Sequence, residues 1–97
     1  MQIRVRVTQT YLDWIDSLRD SIARARIQIR VDRLVQGNPG AHRYLGSGVI
    51  ELKINVGPGY RVYYTLHANE LIVLLAGGDK SSQRQDIETA MALARAL

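Results

Sequence analysis

Ile50-Glu51-Leu52-Lys53-Ile54-Asn55-Val56-Gly57-Pro58-Gly59-Tyr60-Arg61-Val62-Tyr63-Tyr64-Thr65-Leu66 is the stretch that decides the fold of this 97-residue chain. Ile50, Leu52, Ile54 and Val56 alternate with Glu51, Lys53 and Asn55; beyond Gly57-Pro58-Gly59, Val62, Tyr64 and Leu66 alternate with Arg61, Tyr63 and Thr65. A two-residue period on both sides of a turn tripeptide predicts an antiparallel hairpin with one apolar and one polar face. A turn centred on Pro58 sets Asn55 opposite Arg61, Lys53 opposite Tyr63 and Glu51 opposite Thr65 on the polar side. Ile54 with Val62 and Leu52 with Tyr64 then form core on the other side. A slip of one residue would exchange the two faces.

Downstream, His67-Ala68-Asn69-Glu70 reverses the chain, and Leu71–Ala76 is apolar on both faces, as in a central strand covered by helices. Closing that reversal with a four-residue loop pairs Leu66 with Leu71 and Val62 with Leu75, and brings Tyr60 beside Gly77. Lys80 then emerges at the sheet edge that carries Arg61 and the Gly57-Pro58-Gly59 turn. Ser82 with Gln85 matches a capping box, and Ile87, Ala90, Met91 and Ala94 recur at helical steps. Upstream, Ile3, Val5 and Val7 alternate with Arg4, Arg6 and Thr8, as in a half-buried strand. Thr10 is placed to cap a helix with the stripe Leu12, Ile15, Leu18 and Ile22; a second stripe follows at Ile27, Val31, Leu34 and Val35. Arg26–Val31 also alternates as a strand would, and Gly37-Asn38-Pro39-Gly40 is a turn. The expected architecture is α+β: one domain over 1–97, a small antiparallel sheet with an N-terminal helical hairpin and a C-terminal helix.

The composition, 46% hydrophobic and 23% charged, is that of a globular domain, and the absence of cysteine rules out disulfides and thiolate metal sites. Leu71–Ala76 is far short of a membrane span, and Met1–Arg6 lacks an apolar segment of signal-peptide length. The expectation is a cytoplasmic protein with no membrane partner. The net charge of +4 is unevenly placed: residues 1–43 hold eight arginines against four aspartates, and the remainder is balanced at five against five. A basic first half attracts polyanions or an acidic protein. The arginines at 19, 26, 30 and 33 are compatible with an acidic partner, with structured RNA, or with plain solvation.

On the polar face of the hairpin, Lys53, Arg61 and Lys80 converge with Tyr63. The same pattern also suits an ordinary solvated sheet face, but the set fits chemistry on a phosphodiester. RNA cleavage by its own 2′-hydroxyl needs that hydroxyl deprotonated, the crowded phosphate neutralised and the leaving oxygen protonated. Arginine offers a two-pronged grip on phosphate, and a lysine crowded by cations gives up its proton more readily. Tyr63 is placed to stack on a base or donate a proton, and Gly77 and Gly78 to let backbone amides approach an anion. His42 and His67 fall in separate predicted loops, which disfavours a paired-histidine ribonuclease, and no ligand cluster implies a metal or other cofactor. Trp14 and Leu18 on the first helix, with Arg26 and Arg30, are candidate partner contacts.

Three blocks carry a resemblance to a known group: Gly48–Ile54, Gly57-Pro58-Gly59-Tyr60-Arg61-Val62-Tyr63-Tyr64, and Leu74-Leu75-Ala76-Gly77-Gly78-Asp79-Lys80-Ser81-Ser82-Gln83. With Asp20–Ile27, Arg33-Leu34 and Asp86-Ile87, they resemble the HigB-like addiction module killer proteins of the RelE/ParE toxin superfamily. The resemblance implies a toxin of a type II toxin–antitoxin pair, a metal-independent endoribonuclease that cleaves mRNA on the ribosome and halts translation. It implies a cognate antitoxin of helix-turn-helix type, through which alone the toxin would meet operator DNA. It places Lys53 and Arg61 at the scissile phosphate and Lys80 near the leaving group. One departure stands out: RelE and some HigB proteins carry a catalytic tyrosine or histidine near the C-terminus, and residues 84–97 contain neither. A non-catalytic gyrase poison of ParE type is therefore the alternative, and a relic that only binds its antitoxin is a third.

Overall fold

The computed structural model describes residues 3–97, so the first two residues of the Met1–Arg6 stretch lie outside the described residues. Strand β1 (Arg4–Val7) leads into helices α1 (Gln9–Ser17) and α2 (Ser21–Val35). Strands β2 (His42–Gly46), β3 (Val49–Ile54), β4 (Tyr60–His67) and β5 (Leu71–Gly78) follow, and a short turn at Lys80–Ser82 opens helix α3 (Gln83–Arg95). The strands form one sheet in the order β1-β5-β4-β3-β2. All neighbours are antiparallel except β1, which runs parallel to β5 and makes the sheet mixed.

The helical hairpin forms, with its joints moved. Thr8 rather than Thr10 caps α1: its hydroxyl accepts from Tyr11 N at 3.0 Å and donates to the Leu75 carbonyl at 2.5 Å, tying the helix start to β5. Asp20 caps α2 by accepting from the amides of Ile22 and Ala23. That cap breaks the expected stripe of the first helix, so Ile22 belongs to α2 and is 70% exposed. Ala23, Ile27, Val31 and Leu34 of α2 are buried, and Arg26–Val31 is helical. Helices α1 and α2 cover one face of the sheet over Leu52, Ile54, Tyr60, Val62, Tyr64, Ile72 and Leu74. Helix α3 covers the other, through Ala90, Ile87, Met91 and Ala94, over Val49, Tyr63, Val73, Leu75 and Ala76. β5 is thus the twice-covered strand that its apolar run implies.

The hairpin register differs from the expectation by two residues. Lys53 pairs with Arg61, Glu51 with Tyr63 and Val49 with Thr65. The turn is centred on Gly57 rather than Pro58, with positive φ at Gly57 and Gly59 and a hydrogen bond of 3.0 Å from Gly59 N to the Val56 carbonyl. Because the shift is even, every side chain keeps its predicted face. The second reversal is shorter than expected: Ala68 and Asn69 take positive φ, and His67 pairs with Leu71. A bulge opposite Tyr63/Tyr64 then adds a residue to β5, so Val62, not Tyr60, meets Gly77, and Arg61 meets Gly78. At the start of α3 the capping box joins Asp79 to Ser82 rather than Ser82 to Gln85.

Candidate functional site

The polar side of the hairpin is not an open face. Helix α3 lies across it, and the groups it covers form a buried charged cluster. Glu51 has no exposed surface, Arg61 is 6% exposed, and Tyr63 is fully buried. Lys53 and Arg61 face each other directly on β3 and β4, an arrangement of like charges that opposes strand pairing. Glu51, diagonal to Arg61, compensates. Its Oε1 lies 3.8 Å from Arg61 Nε and 3.4 Å from Arg43 Nη2, and its Oε2 accepts from Gln83 Nε2 at 2.9 Å. One carboxylate therefore links the edge strand β2, the inner strand β4 and the first residue of α3. Arg61 also donates through Nη1 to the Tyr60 carbonyl at 3.1 Å.

The cluster is under-satisfied. Glu51 Oε1, Arg61 Nε and the Tyr63 hydroxyl are buried without a hydrogen-bond partner among the described residues. Burial, and then the Glu51 and Asp86 carboxylates, push the Tyr63 hydroxyl well above the usual tyrosine range. Tyr63 is therefore held in its neutral form. The base stacking expected of it is closed off by α3 in this arrangement.

Lys80 is exposed, and its methylenes lie along Gly59: a Cβ on that glycine would sit 3.3–3.4 Å from Lys80 Cγ, Cδ and Cε. The structure thus puts Lys80 at the expected edge, beside the Gly57-Pro58-Gly59 turn. The row Lys53–Arg61–Gly78 leads across three strands to within two residues of it.

Gly77 and Gly78 have a different task from the one expected of them. Both are buried. A Cβ on Gly77 would lie 2.2 Å from the Trp14 ring, and one on Gly78 would lie 1.7 Å from Asp86 Oδ2. Their missing side chains admit α1 on one face and α3 on the other, so no amide concavity is open to an anion there. Asp86 accepts from Ser82 Oγ at 2.6 Å, and burial outweighs that bond in raising its carboxyl above the ordinary value. The Gly77→Ala protein is expected to lose about 1–3 kcal/mol, as overpacked cores do. Urea unfolding measures this, and unchanged stability would mean that Trp14 moves aside freely.

Of the expected partner contacts, Trp14 is half-buried, tilted against Tyr11 and Tyr60 with ring centroids 5.7 Å and 6.5 Å away. Leu18 packs on the core. Arg30 is committed to the fold: it donates to the carbonyls of Lys53 at 2.5 Å, Pro39 at 2.8 Å and Ala41 at 3.2 Å, clamping the loop before β2. Arg26 alone of the four is exposed. His42 and His67, expected in loops, sit at strand ends, His42 opposite Leu52 and His67 opposite Leu71. Among the described residues no group of three or more His, Asp or Glu could hold a metal ion, and no helix is long and apolar enough to cross a membrane.

Glu51, Arg43 and Gln83 are the site residues that the sequence reading passed over. A glutamate alternating with apolar residues reads as solvent-facing. Only the cover supplied by α3 turns it into a buried counter-charge.

Solved structures with this architecture define the class. The free state of a mutant of the Escherichia coli toxin RelE matches with a TM-score of 0.69 at 14% identity, over 91% of this chain and 97% of that one. The intact E. coli RelBE toxin–antitoxin complex gives 0.65 at 18% identity, covering 79% of this chain and 95% of that chain. The toxin–antitoxin complex RelBE2 from Mycobacterium tuberculosis gives 0.62 at 19% identity, covering 82% and 100%. The fold is RelE-like. More specifically, residues 13–96 match the family model described as phage derived protein Gp49-like (DUF891), and the chain belongs to that family. An uncharacterised protein of Haemophilus influenzae is 41% identical over 97 residues, spanning 100% of this chain and 98% of its own length.

Proposed function

We propose that this protein is the toxin of a type II toxin–antitoxin pair, of the HigB-like branch, and that it arrests translation by cleaving mRNA on the ribosome. The observation that carries the reading is Lys53 set directly opposite Arg61, with Lys80 at the same edge, on a RelE-like fold. Like charges held together against their repulsion serve a polyanion better than they serve the fold. In the proposed reaction Arg61 neutralises the phosphate as the 2′-oxygen attacks, and Lys53 takes the hydroxyl proton or stabilises the developing charge. Lys80, exposed beside Gly59, supports the departing 5′-oxygen. The proposed chemistry is metal-independent. Glu51 holds the Arg61 guanidinium from behind and is a positioning residue.

The antitoxin, a helix-turn-helix protein by the resemblance, is the proposed partner in the cytoplasm, and operator DNA is reached only through it. The ribosome and mRNA are the proposed targets. A gyrase poison of ParE type is the second reading, favoured by the burial of Arg61 and Tyr63 and by the lack of Tyr and His in residues 84–97.

Inducible expression in a bacterium, with pulse labelling of protein, RNA and DNA synthesis and mapping of mRNA 5′ ends, separates the two. Immediate loss of protein synthesis with new ends inside coding frames is expected. Arrest with intact mRNA and a DNA damage response would transfer the assignment to the gyrase poison. Growth without arrest, from folded protein, would remove both.

A further inference from the structure

The helical-hairpin face of the sheet, opposite the side that carries Lys53 and Arg61, holds a groove between α2 and the β3–β4 turn. It consists of two hollows of about 180 Å³ and 290 Å³. Ile22, Arg26, Ile29 and Arg33 line one wall, Ile54, Asn55, Val56, Gly57 and Tyr60 the other, and Arg26 and Val56 border both hollows. Asp20 and Arg30 also line it, but Asp20 is engaged by the Ile22 and Ala23 amides and Arg30 by backbone carbonyls. The two hollows therefore adjoin along α2. The four α2 residues recur at steps of four, three and four, which puts them within about 60° of one another on the helix over roughly 17 Å of its length. The core side of α2 is a different stripe, Ala23, Ile27, Val31 and Leu34, so nothing in the fold needs isoleucine at 22 or 29. Yet Ile22 and Ile29 are 70% and 48% exposed.

Charge selects the occupant. Among the described residues neither Arg26 nor Arg33 forms an ion pair, in contrast to Arg43 and Arg61. Aliphatic and arginine side chains alternating one heptad apart match an amphipathic helix with carboxylates at the same spacing, laid into the groove. RNA fits less well, because the groups between the arginines are aliphatic and the ring in the lining, Tyr60, is buried and offers no face on which a base could stack. We propose that this groove binds an acidic amphipathic helix of a partner protein, with carboxylates on Arg26 and Arg33 and apolar side chains over Ile22, Ile29 and Val56. The proposal rests on the toxin–antitoxin reading for the identity of that partner alone. Since the groove lies across the sheet from Lys53 and Arg61, its occupant would not touch those two residues.

The test uses stapled helical peptides of about three turns with one leucine stripe, flanked by Glu, Gln or Lys, titrated against the full-length protein beside a single-stranded and a hairpin RNA. The Glu peptide is expected to bind best, to weaken as salt is raised, and to shift amide resonances of residues 22–33 and 54–60. It should lose about tenfold or more in affinity for the Arg26→Glu/Arg33→Glu protein, because repulsion replaces attraction at both ends. Ile22→Ser/Ile29→Ser, a purely surface change, should weaken all three peptides alike. Equal binding of Glu and Lys peptides, undiminished binding to the Arg26→Glu/Arg33→Glu protein, or RNA binding lost in that protein would each overturn the proposal. In cells, the same variant should remain toxic while escaping its co-produced antitoxin. A wild-type chain without toxicity would remove the toxin reading and leave the peptide result standing.

Discussion

Cells producing the Lys53→Ala variant are expected to keep growing and to show no new mRNA ends, while the purified variant unfolds at nearly the wild-type urea concentration. A positioned acid or base contributes roughly 10²- to 10⁴-fold to rate, and a loss of that size takes cleavage below what arrests growth. Lys53 is only half-buried and its removal relieves the repulsion from Arg61, so the fold loses little. Arg61 needs a different design. The arginine is buried against Glu51, and its deletion to alanine strips that carboxylate of its inner counter-charge. Arg61→Lys keeps a charge while losing the planar fork that grips phosphate, so it is the informative variant. Full toxicity from folded Lys53→Ala and folded Arg61→Lys proteins would end the assignment of both residues.

The largest effect on stability is expected from Glu51→Ala, at about 3–5 kcal/mol, the usual result of leaving a buried charge unpaired. Arg43 is 51% exposed and can turn to water, so most of the loss comes from Arg61, whose side chain is only 7% exposed. The Gln83 amide would lose its acceptor at the same time, loosening the start of α3. For a domain whose total stability is on the order of 5–15 kcal/mol, this is a large share. Equilibrium urea unfolding followed by circular dichroism gives the number. A loss below about 1 kcal/mol would mean that the cluster relaxes into water and that Glu51 does not hold Arg61. If Glu51 only positions Arg61, conditions that restore the fold of Glu51→Ala should leave cleavage impaired.

The hairpin at residues 50–66 was legible because strand alternation is local: which side chains share a face depends on parity, and parity survived a two-residue error in register. The double-faced apolar run of β5 and the stripes of α2 and α3 were legible for the same reason. The shortened second reversal and the bulge opposite Tyr63/Tyr64 were not, since both depend on how β5 packs between two helical layers. Gly77 and Gly78 show the limit most clearly. A pair of glycines before an aspartate reads as an open loop for an anion, whereas Trp14 and Asp86 occupy the space above them.

The sequence by itself determined the α+β class, the two faces of the hairpin and the basic residues that share one of them. These follow from periodicity and charge, which belong to the chain. The tertiary structure alone decided that α3 closes over that face, that Glu51 becomes the counter-charge of Arg61, and that Arg30 is spent on backbone carbonyls while Arg26 stays exposed. The physical reason is that burial and pairing are properties of two elements at once. A side chain's water is removed by whichever helix lands on it, and no spacing within its own strand records which helix that will be.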